Sequence, residues 1–252
     1  MLAIERRNAI LARLAADVKV IVANLSNEFD VTEETIRRDL EKLENDGLAK
    51  RTYGGAVKKD TFNTDLPFQV RKQTNVEDKQ EIALKIASMI EDGDYLMLDA
   101  STTALYVVKN ILEKKRITII TNSVEILIEL AAKNDWNVLS TGGTLKPGSL
   151  SFVGRHAEDM LKEFHVDMAI FSCKGIDMDR GLTDSNEKDT DIKRCMLKAA
   201  KKKILAIDDT KFDRISFTRV CDMREIDVVV TNREPSEKWQ QYLKETNTEL
   251  VY

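Results

Sequence analysis

Cysteine, histidine and long apolar runs are all scarce in this chain, and each shortage closes off a class of function. Cys173, Cys195 and Cys221 are the only cysteines, widely separated and without a C-x-x-C spacing, and His156 and His165 are the only histidines. Neither a metal centre nor a disulfide framework is expected from such a set, and the thiols read as small buried hydrophobes in a reducing cytoplasm. The same two imidazoles are the only ones available for acid–base work, and His165 stands before a strand-like segment, which argues against catalysis. Runs such as residues 117–120 are far too short to span a bilayer. The opening MLAIERRNAI carries charges where an export signal needs an apolar core. A cytoplasmic protein without membrane contact, metal or cofactor is expected.

What remains is a chain of 252 residues, 42% hydrophobic and 33% charged, enough for a real core under a charged surface. Its most informative stretch is residues 24–55, NLSNEFDVTEETIRRDLEKLENDGLAKRTYGG. On a helix beginning after Thr32, Ile36, Leu40 and Leu43 fall at i, i+4 and i+7 and form one apolar stripe. Thr32 can cap that helix. Glu33, Glu34, Thr35, Arg37 and Arg38 then lie off the stripe, on the exposed first turns. A preceding helix over Val22–Phe29 offers Val22, Leu25 and Phe29, and Asp30-Val31 makes the turn between the two. A helix with its N-terminal half projecting is what the major groove of DNA accepts.

Past a helix stop at Gly47, residues 48–53 read as a strand, Gly54-Gly55 as a tight turn and residues 56–58 as the return strand. In such a wing Lys50, Arg51 and Lys58 meet phosphate, and Tyr53 or the Gly54 backbone enters the minor groove. An Arg-Arg pair is by itself an ordinary solvated face. The preceding helix, the turn valine and the wing, all in register, lift it to a DNA-reading surface.

The charge balance runs against this at first sight, because the chain carries a net −4. Residues 1–58 hold ten Lys+Arg against ten Asp+Glu, leaving 29 against 33 for residues 59–252. A neutral DNA module must be polarised, with its cations on one face, and one such module binds weakly because affinity scales with phosphates neutralised. Two or more modules acting together, as a homodimer or homotetramer on repeated half-sites of double-stranded DNA, supply the rest.

Residues 59–76, with Pro67 and isolated aromatics at Phe62 and Phe68, read as a linker between a DNA-binding domain over 1–58 and a larger domain over 77–252. In the larger domain the pattern alternates. Helices are expected near Ile82, Ile86, Met89 and Ile90, over 101–112, over 124–132 and near 190–202. Strands are expected at 95–98, 117–120, 137–139, 168–171, 204–207 and 227–230. Such alternation implies an α/β domain with a mainly parallel sheet covered on both faces. Ligands of such sheets sit beyond the carboxyl ends of strands, against helix N-termini. Three loops there carry suitable chemistry: Asp99-Ala100-Ser101-Thr102-Thr103, Thr141-Gly142-Gly143, and Asp208-Asp209-Thr210-Lys211. Each alone is weak, being a plain cap, a turn and a surface lysine; on one sheet edge together they suggest a phosphate pocket.

The chain also resembles a known family. TIRRDLEKLENDGLAKRTYGGAV, then LPFQVRK, DKQEIALKIASMIEDGDYLMLDASTT, IITNS, TGG, SFVG, KGIDMDRGLT and DDTKF are similar, in this order, to DeoR/GlpR-type bacterial transcriptional regulators. The resemblance implies a winged helix-turn-helix followed by a sensor domain similar to sugar-phosphate isomerases. It further implies a DNA-binding regulator, usually a repressor of carbohydrate metabolism, controlled by a phosphorylated effector. On that resemblance Ser101, Thr102, Thr103, Gly142, Gly143 and Lys211 become phosphate-side contacts, while Asp99, Lys174 and Asp177 orient the remainder. Three positions depart from the pattern: Ser101 stands where the family has glycine, Asp189 where it commonly has glutamate before Lys193-Arg194, and Tyr53 where a wing histidine is usual. The competing reading is an isomerase or deaminase with an appended DNA-binding domain. Its available carboxylates are Asp177, Asp179, Asp184 and Glu187, in a stretch that reads as surface loop.

Overall fold

The computed structural model describes residues 1–58 and 65–252, so Phe62 of the expected linker lies outside the described residues. Two compact units are formed, Met1–Val76 and Glu77–Tyr252.

The first unit runs α1 (Ala3–Asp17), β1 (Lys19–Ile21), α2 (Val22–Phe29), α3 (Glu33–Asn45), β2 (Ala49–Thr52), β3 (Gly55–Lys58) and α4 (Phe68–Lys72). α2 ends where Asp30 takes φ 51°, a left-handed turn that a short polar residue tolerates. α3 starts at Thr32, whose hydroxyl accepts from the Thr35 amide at 3.2 Å. Its stripe of Ile36, Leu40 and Leu43 is buried against Val22 and Leu25 of α2, as expected, and also against Ile10, Leu11 and Leu14 of α1. α1 and β1 are additions to the two-helix reading. The wing is three-stranded, in the order β1-β3-β2, all antiparallel. Its turn falls at Tyr53-Gly54, one residue before the expected Gly54-Gly55 turn. Gly55 instead opens β3 against β1, where an added Cβ would lie 2.0 Å from the Val20 carbonyl oxygen. α4 lies within the stretch read as linker, and its Val70 is buried in the core of this first unit.

The second unit runs α5 (Val76–Ala87), β4 (Tyr95–Leu98), α6 (Thr102–Asn110), β5 (Thr118–Thr121), α7 (Val124–Leu130), β6 (Asn137–Ser140), β7 (Thr144–Lys146), β8 (Ser151–Val153), α8 (Arg155–Lys162) and β9 (Val166–Phe171). It continues β10 (Gly175–Asp177), β11 (Gly181–Asp184), α9 (Glu187–Ala199), β12 (Ala200–Ala206), β13 (Thr218–Cys221), β14 (Val228–Val230), α10 (Glu237–Glu245) and β15 (Glu249–Val251). Seven strands make one wholly parallel sheet in the order β15-β14-β12-β9-β4-β5-β6. The central strands are apolar on both faces, as in Leu96, Met97 and Leu98 of β4 and the three valines of β14, which is what cover on both sides requires. The chain lays β5 and β6 on one side of β4, then returns to lay β9, β12, β14 and β15 on the other. The order therefore reverses between β4 and β9, the position where such sheets open a crevice at their carboxyl edge.

Two expectations are corrected. The helix expected to reach residue 202 stops at Ala199, and β12 begins at Ala200. Lysines 201–203 are accommodated in the strand because acids meet them, Asp167 of β9 at 2.9 Å, Glu249 of β15 at 3.7 Å and Asp227, just before β14, at 3.7 Å. The Gly-, Asp- and Ser-rich stretch expected as surface loop forms the β10–β11 hairpin, extended by β13 into a small antiparallel sheet. Asp184 is buried there, 5% exposed, because an ammonium group lies beside it.

Candidate functional site

On the first unit, the residues expected to face DNA are exposed, except Thr35, which is half-buried. Arg37 donates to Glu33 at 2.5 Å and Arg38 to Glu34 at 3.2 Å, each one helical turn back along α3. The side chains of both arginines stay largely exposed, 53% and 76%. The Thr32 and Thr35 hydroxyls share a bond of 2.9 Å at the helix start. On the wing, Arg51 is held by Glu44 of α3 at 2.8 Å, and Lys50 is exposed. Tyr53 is fully exposed at the turn, beside Gly54 with φ 85° and no atom within reach of an added Cβ. Hydrogen bonding by Arg51 lowers the Glu44 pKa from its usual value. Each arginine is thus held by a glutamate, Arg37 and Arg38 within α3 and Arg51 from the wing to α3. Water competes for pairs as exposed as these, so they hold the side chains only loosely.

In the second unit the carboxyl ends of β12, β9 and β4 form a continuous ledge, adjacent strands being about 4.8 Å apart. Asp99 follows β4 and is 3% exposed. Its two oxygens accept from the Ser101 amide at 3.0 Å and the Ser172 amide at 3.1 Å, which ties the loops after β4 and β9 together across the order reversal. Ser101 caps α6, its hydroxyl accepting from the Ala104 amide at 3.1 Å. That gives a structural role to a serine standing where the family pattern has glycine. Thr102 and Thr103 form the first turn of α6, where amides lack intrahelical partners.

Lys193, from α9, sits 2.5 Å from Asp184 and 3.7 Å from Asp99. Asp189 of the same helix binds Lys146 of β7 at 2.8 Å. Burial opposes charge on Lys193, yet Asp184, Asp99 and Asp189 outweigh it and raise its pKa well above the ordinary value. Burial raises the Asp99 pKa, only partly offset by Lys193 and the two amides. For Asp189 burial is overcome by Lys193 and Lys146, and its pKa is lowered. The Cys173 thiol, just beyond β9, is pushed up by burial and by Asp184, while Lys193 and Lys211 pull the other way. Lys211 ends a short 3-10 turn that Asp208 caps through the Thr210 amide at 3.1 Å.

The expected effector residues divide as follows. Asp99, Ser101, Thr102, Thr103 and Lys211 stand on this ledge, and Lys174 follows β9, its amide donating to the Thr183 carbonyl at 3.1 Å. Asp177 is spent on the β10–β11 turn, accepting from the Asp179 and Arg180 amides at 2.9 Å each. Gly142 and Gly143 follow β6, two strands beyond β4. Gly143 has φ 104°, and a Cβ there would lie 2.9 Å from the Val153 carbonyl oxygen, so local packing already demands glycine. His156 lies in the first turn of α8 and His165 immediately before the first residue of β9, and both are exposed. Lys146 and Lys193 are not among the expected site residues, and Asp184 enters the sequence reading only as a carboxylate of the competing enzyme. The one available signal was the Lys193-Arg194 pair after Asp189, because a lysine becomes central only once helix and hairpin fold it among carboxylates.

With this geometry in place, the kinship of the chain is clear. Residues 6–62 match the DeoR-like helix-turn-helix domain, and residues 74–233 match the DeoR C terminal sensor domain. The chain belongs to the DeoR family, and it is a DNA-binding transcriptional regulator with a sensor domain. It is 40% identical over 232 residues to the uncharacterized HTH-type transcriptional regulator YulB of Bacillus subtilis, covering 92% of this chain and 90% of that one. It is 33% identical over 240 residues to the L-fucose operon activator of Haemophilus influenzae, covering 95% and 96%. In fold, ribose 5-phosphate isomerase A of Methanocaldococcus jannaschii aligns at 16% identity with a TM-score of 0.40, over 55% of each chain. Among the described residues no helix is long and apolar enough to cross a membrane.

Proposed function

We propose that this regulator controls a carbohydrate operon as a cytoplasmic repressor, and that a phosphorylated sugar held on the ledge of the second unit sets its affinity for DNA. The carrying observation is the convergence at the β4/β9 reversal. A capped helix N-terminus at Thr102 and Thr103 and the Lys211 ammonium offer an anion site. The buried Asp99–Lys193–Asp184 group beside them holds the loops that carry this site. Lys174 completes the ledge, and Gly142 with Gly143 bound its far side. The sugar is proposed to lie with its phosphate toward Lys211 and α6. The buried acids and bases of the ledge are committed to one another, and both imidazoles are exposed, so the ledge is read as a sensor and not as an isomerase site.

An effector shifts DNA affinity only by binding two arrangements of the protein unequally. The regulator is proposed to be a homodimer or homotetramer whose paired recognition helices span repeated half-sites, since a neutral DNA module needs a second one for useful affinity. The test is a melting survey against sugar phosphates, followed by calorimetry with the stabilising compound and its dephosphorylated form. At about 100 Kd a ligand stabilises by about 2.7 kcal/mol, a midpoint shift of about 5–11 °C for a unit of this size. Lys211→Ala should abolish that shift and the ligand's effect on DNA binding while sparing DNA binding without ligand. Equal binding of the unphosphorylated sugar, or a normal response from Lys211→Ala, would remove the phosphate site from this ledge.

A further inference from the structure

α3 buries four residues, and three of them, Ile36, Leu40 and Leu43, are apolar. The fourth is Asp39, 4% exposed, placed directly after Arg37 and Arg38. Its partner is Arg6 of α1, 7% exposed, whose Nε donates to Asp39 Oδ2 at 2.5 Å across 33 residues of sequence. Arg7 stands behind it, 4.0 Å from the other carboxylate oxygen. Neither member of the pair offers itself to DNA. Arg6 has a side chain only 9% exposed, and a carboxylate repels phosphate.

Apolar packing is strong but non-directional, so the Ile36, Leu40, Leu43 stripe holds α3 against the core without fixing its rotation closely. A charge-assisted hydrogen bond between a planar guanidinium and a carboxylate is directional. Rotation matters here, because a turn of about 10° carries a side-chain tip by about 1 Å at the outer radius of a helix. That is twice the whole width of the hydrogen-bond distance window through which Arg37 or Arg38 reads a base. A buried ion pair is poor support for stability as such, since well-packed apolar residues of similar volume often replace one without loss. Registry is the role in which such pairs are best attested.

We infer that Arg6 and Asp39 are positioning residues for DNA reading: the pair locks the rotation of the recognition helix, and with it the aim of Arg37 and Arg38, from a helix that does not itself touch the bases.

The experiment uses the full-length protein and a duplex selected by it from a random library, with a scrambled duplex as reference. Affinity for both is read by fluorescence anisotropy well below each variant's melting midpoint. Arg6→Met/Asp39→Leu replaces the pair by apolar side chains. The expected result is a midpoint close to that of the unaltered protein, unchanged affinity for the scrambled duplex, and a selected-to-scrambled ratio about tenfold lower, as for loss of one good base contact. An unchanged ratio in this folded variant would overturn the inference. Should the double variant fail to fold, Arg6→Lys decides: it keeps the charge but loses the planar fork, and the same fall in ratio is expected, with an unchanged ratio again overturning the inference. A pair serving stability alone would lower the midpoint and leave the ratio of the folded protein untouched.

Discussion

Lys193→Met is the sharpest perturbation of the second unit. It keeps most of the side chain's length but removes the one ammonium that Asp184 holds at 2.5 Å and Asp99 at 3.7 Å, leaving both carboxylates buried. Breaking a buried pair by removing one partner costs about 3–5 kcal/mol. At about 2–4 °C per kcal/mol for a unit of this size, the midpoint should fall by about 6–20 °C. Lys146→Met is the internal control. That lysine is paired with Asp189 in a more accessible place, its side chain 25% exposed, and its removal should cost about 1 kcal/mol. The pH dependence adds a second signature. Without the ammonium, the Asp99 carboxyl loses the charge that partly offsets its burial and its folded-state pKa rises further, so the variant takes up a proton on folding and gains stability as pH falls. The gap between the two proteins should therefore be widest near neutrality and narrow toward pH about 5, within the range reached by buried carboxylates. Differential scanning calorimetry at three pH values measures both effects. A loss below about 2 °C at neutral pH, or a gap that widens in acid, would show that Lys193 is not charged among those carboxylates.

Arg37→Ala should weaken specific DNA binding by about 1–3 kcal/mol per half-site with an unchanged melting midpoint, read by anisotropy on the selected duplex; full retention would remove Arg37 from the interface. Gly55→Ala should destabilise the wing severely, because its Cβ would lie 2.0 Å from a backbone oxygen of β1, and a native-like midpoint would refute that geometry. Asp189→Asn should lose a stabilising contribution that depends on pH. The native carboxyl has a lowered pKa, so its contribution is complete above the unfolded carboxylate value near about 4 and is lost as pH falls through the lower folded value. The difference in midpoint between the variant and the unaltered protein should thus be constant from neutrality down to that point and shrink below it.

Much of the architecture was legible because it is written in short-range periodicity. The stripe of Ile36, Leu40 and Leu43, the Thr32 cap and the turn at Asp30 are local properties, and six of the seven strands of the parallel sheet are legible as short apolar runs bounded by loops, whereas β15 and the second unit's strands outside that sheet are not. The apolar face of α1, Ile10, Leu11 and Leu14, is hard to read because charged residues crowd the same segment. Three consecutive lysines do not look like the start of a strand, and only Asp167, Asp227 and Glu249, brought beside them by the fold, let Lys201, Lys202 and Lys203 belong to β12.

The sequence by itself determined the DNA-reading unit and the parallel sheet, because both follow from spacing that a single helix or strand imposes on its own residues. It also placed Ser101, Thr102, Thr103 and Lys211 at strand ends. Only the tertiary structure decided which charges are buried and with whom. Asp39 found Arg6 across 33 residues, and Asp99 and Asp184 found Lys193 from separate strands and a helix. It also committed Asp177 to a hairpin turn and Gly143 to local packing. Desolvation is the reason: a charged residue is the same in sequence whether it ends in water or in the core, and only the packed fold settles which cost is incurred and which partner offsets it.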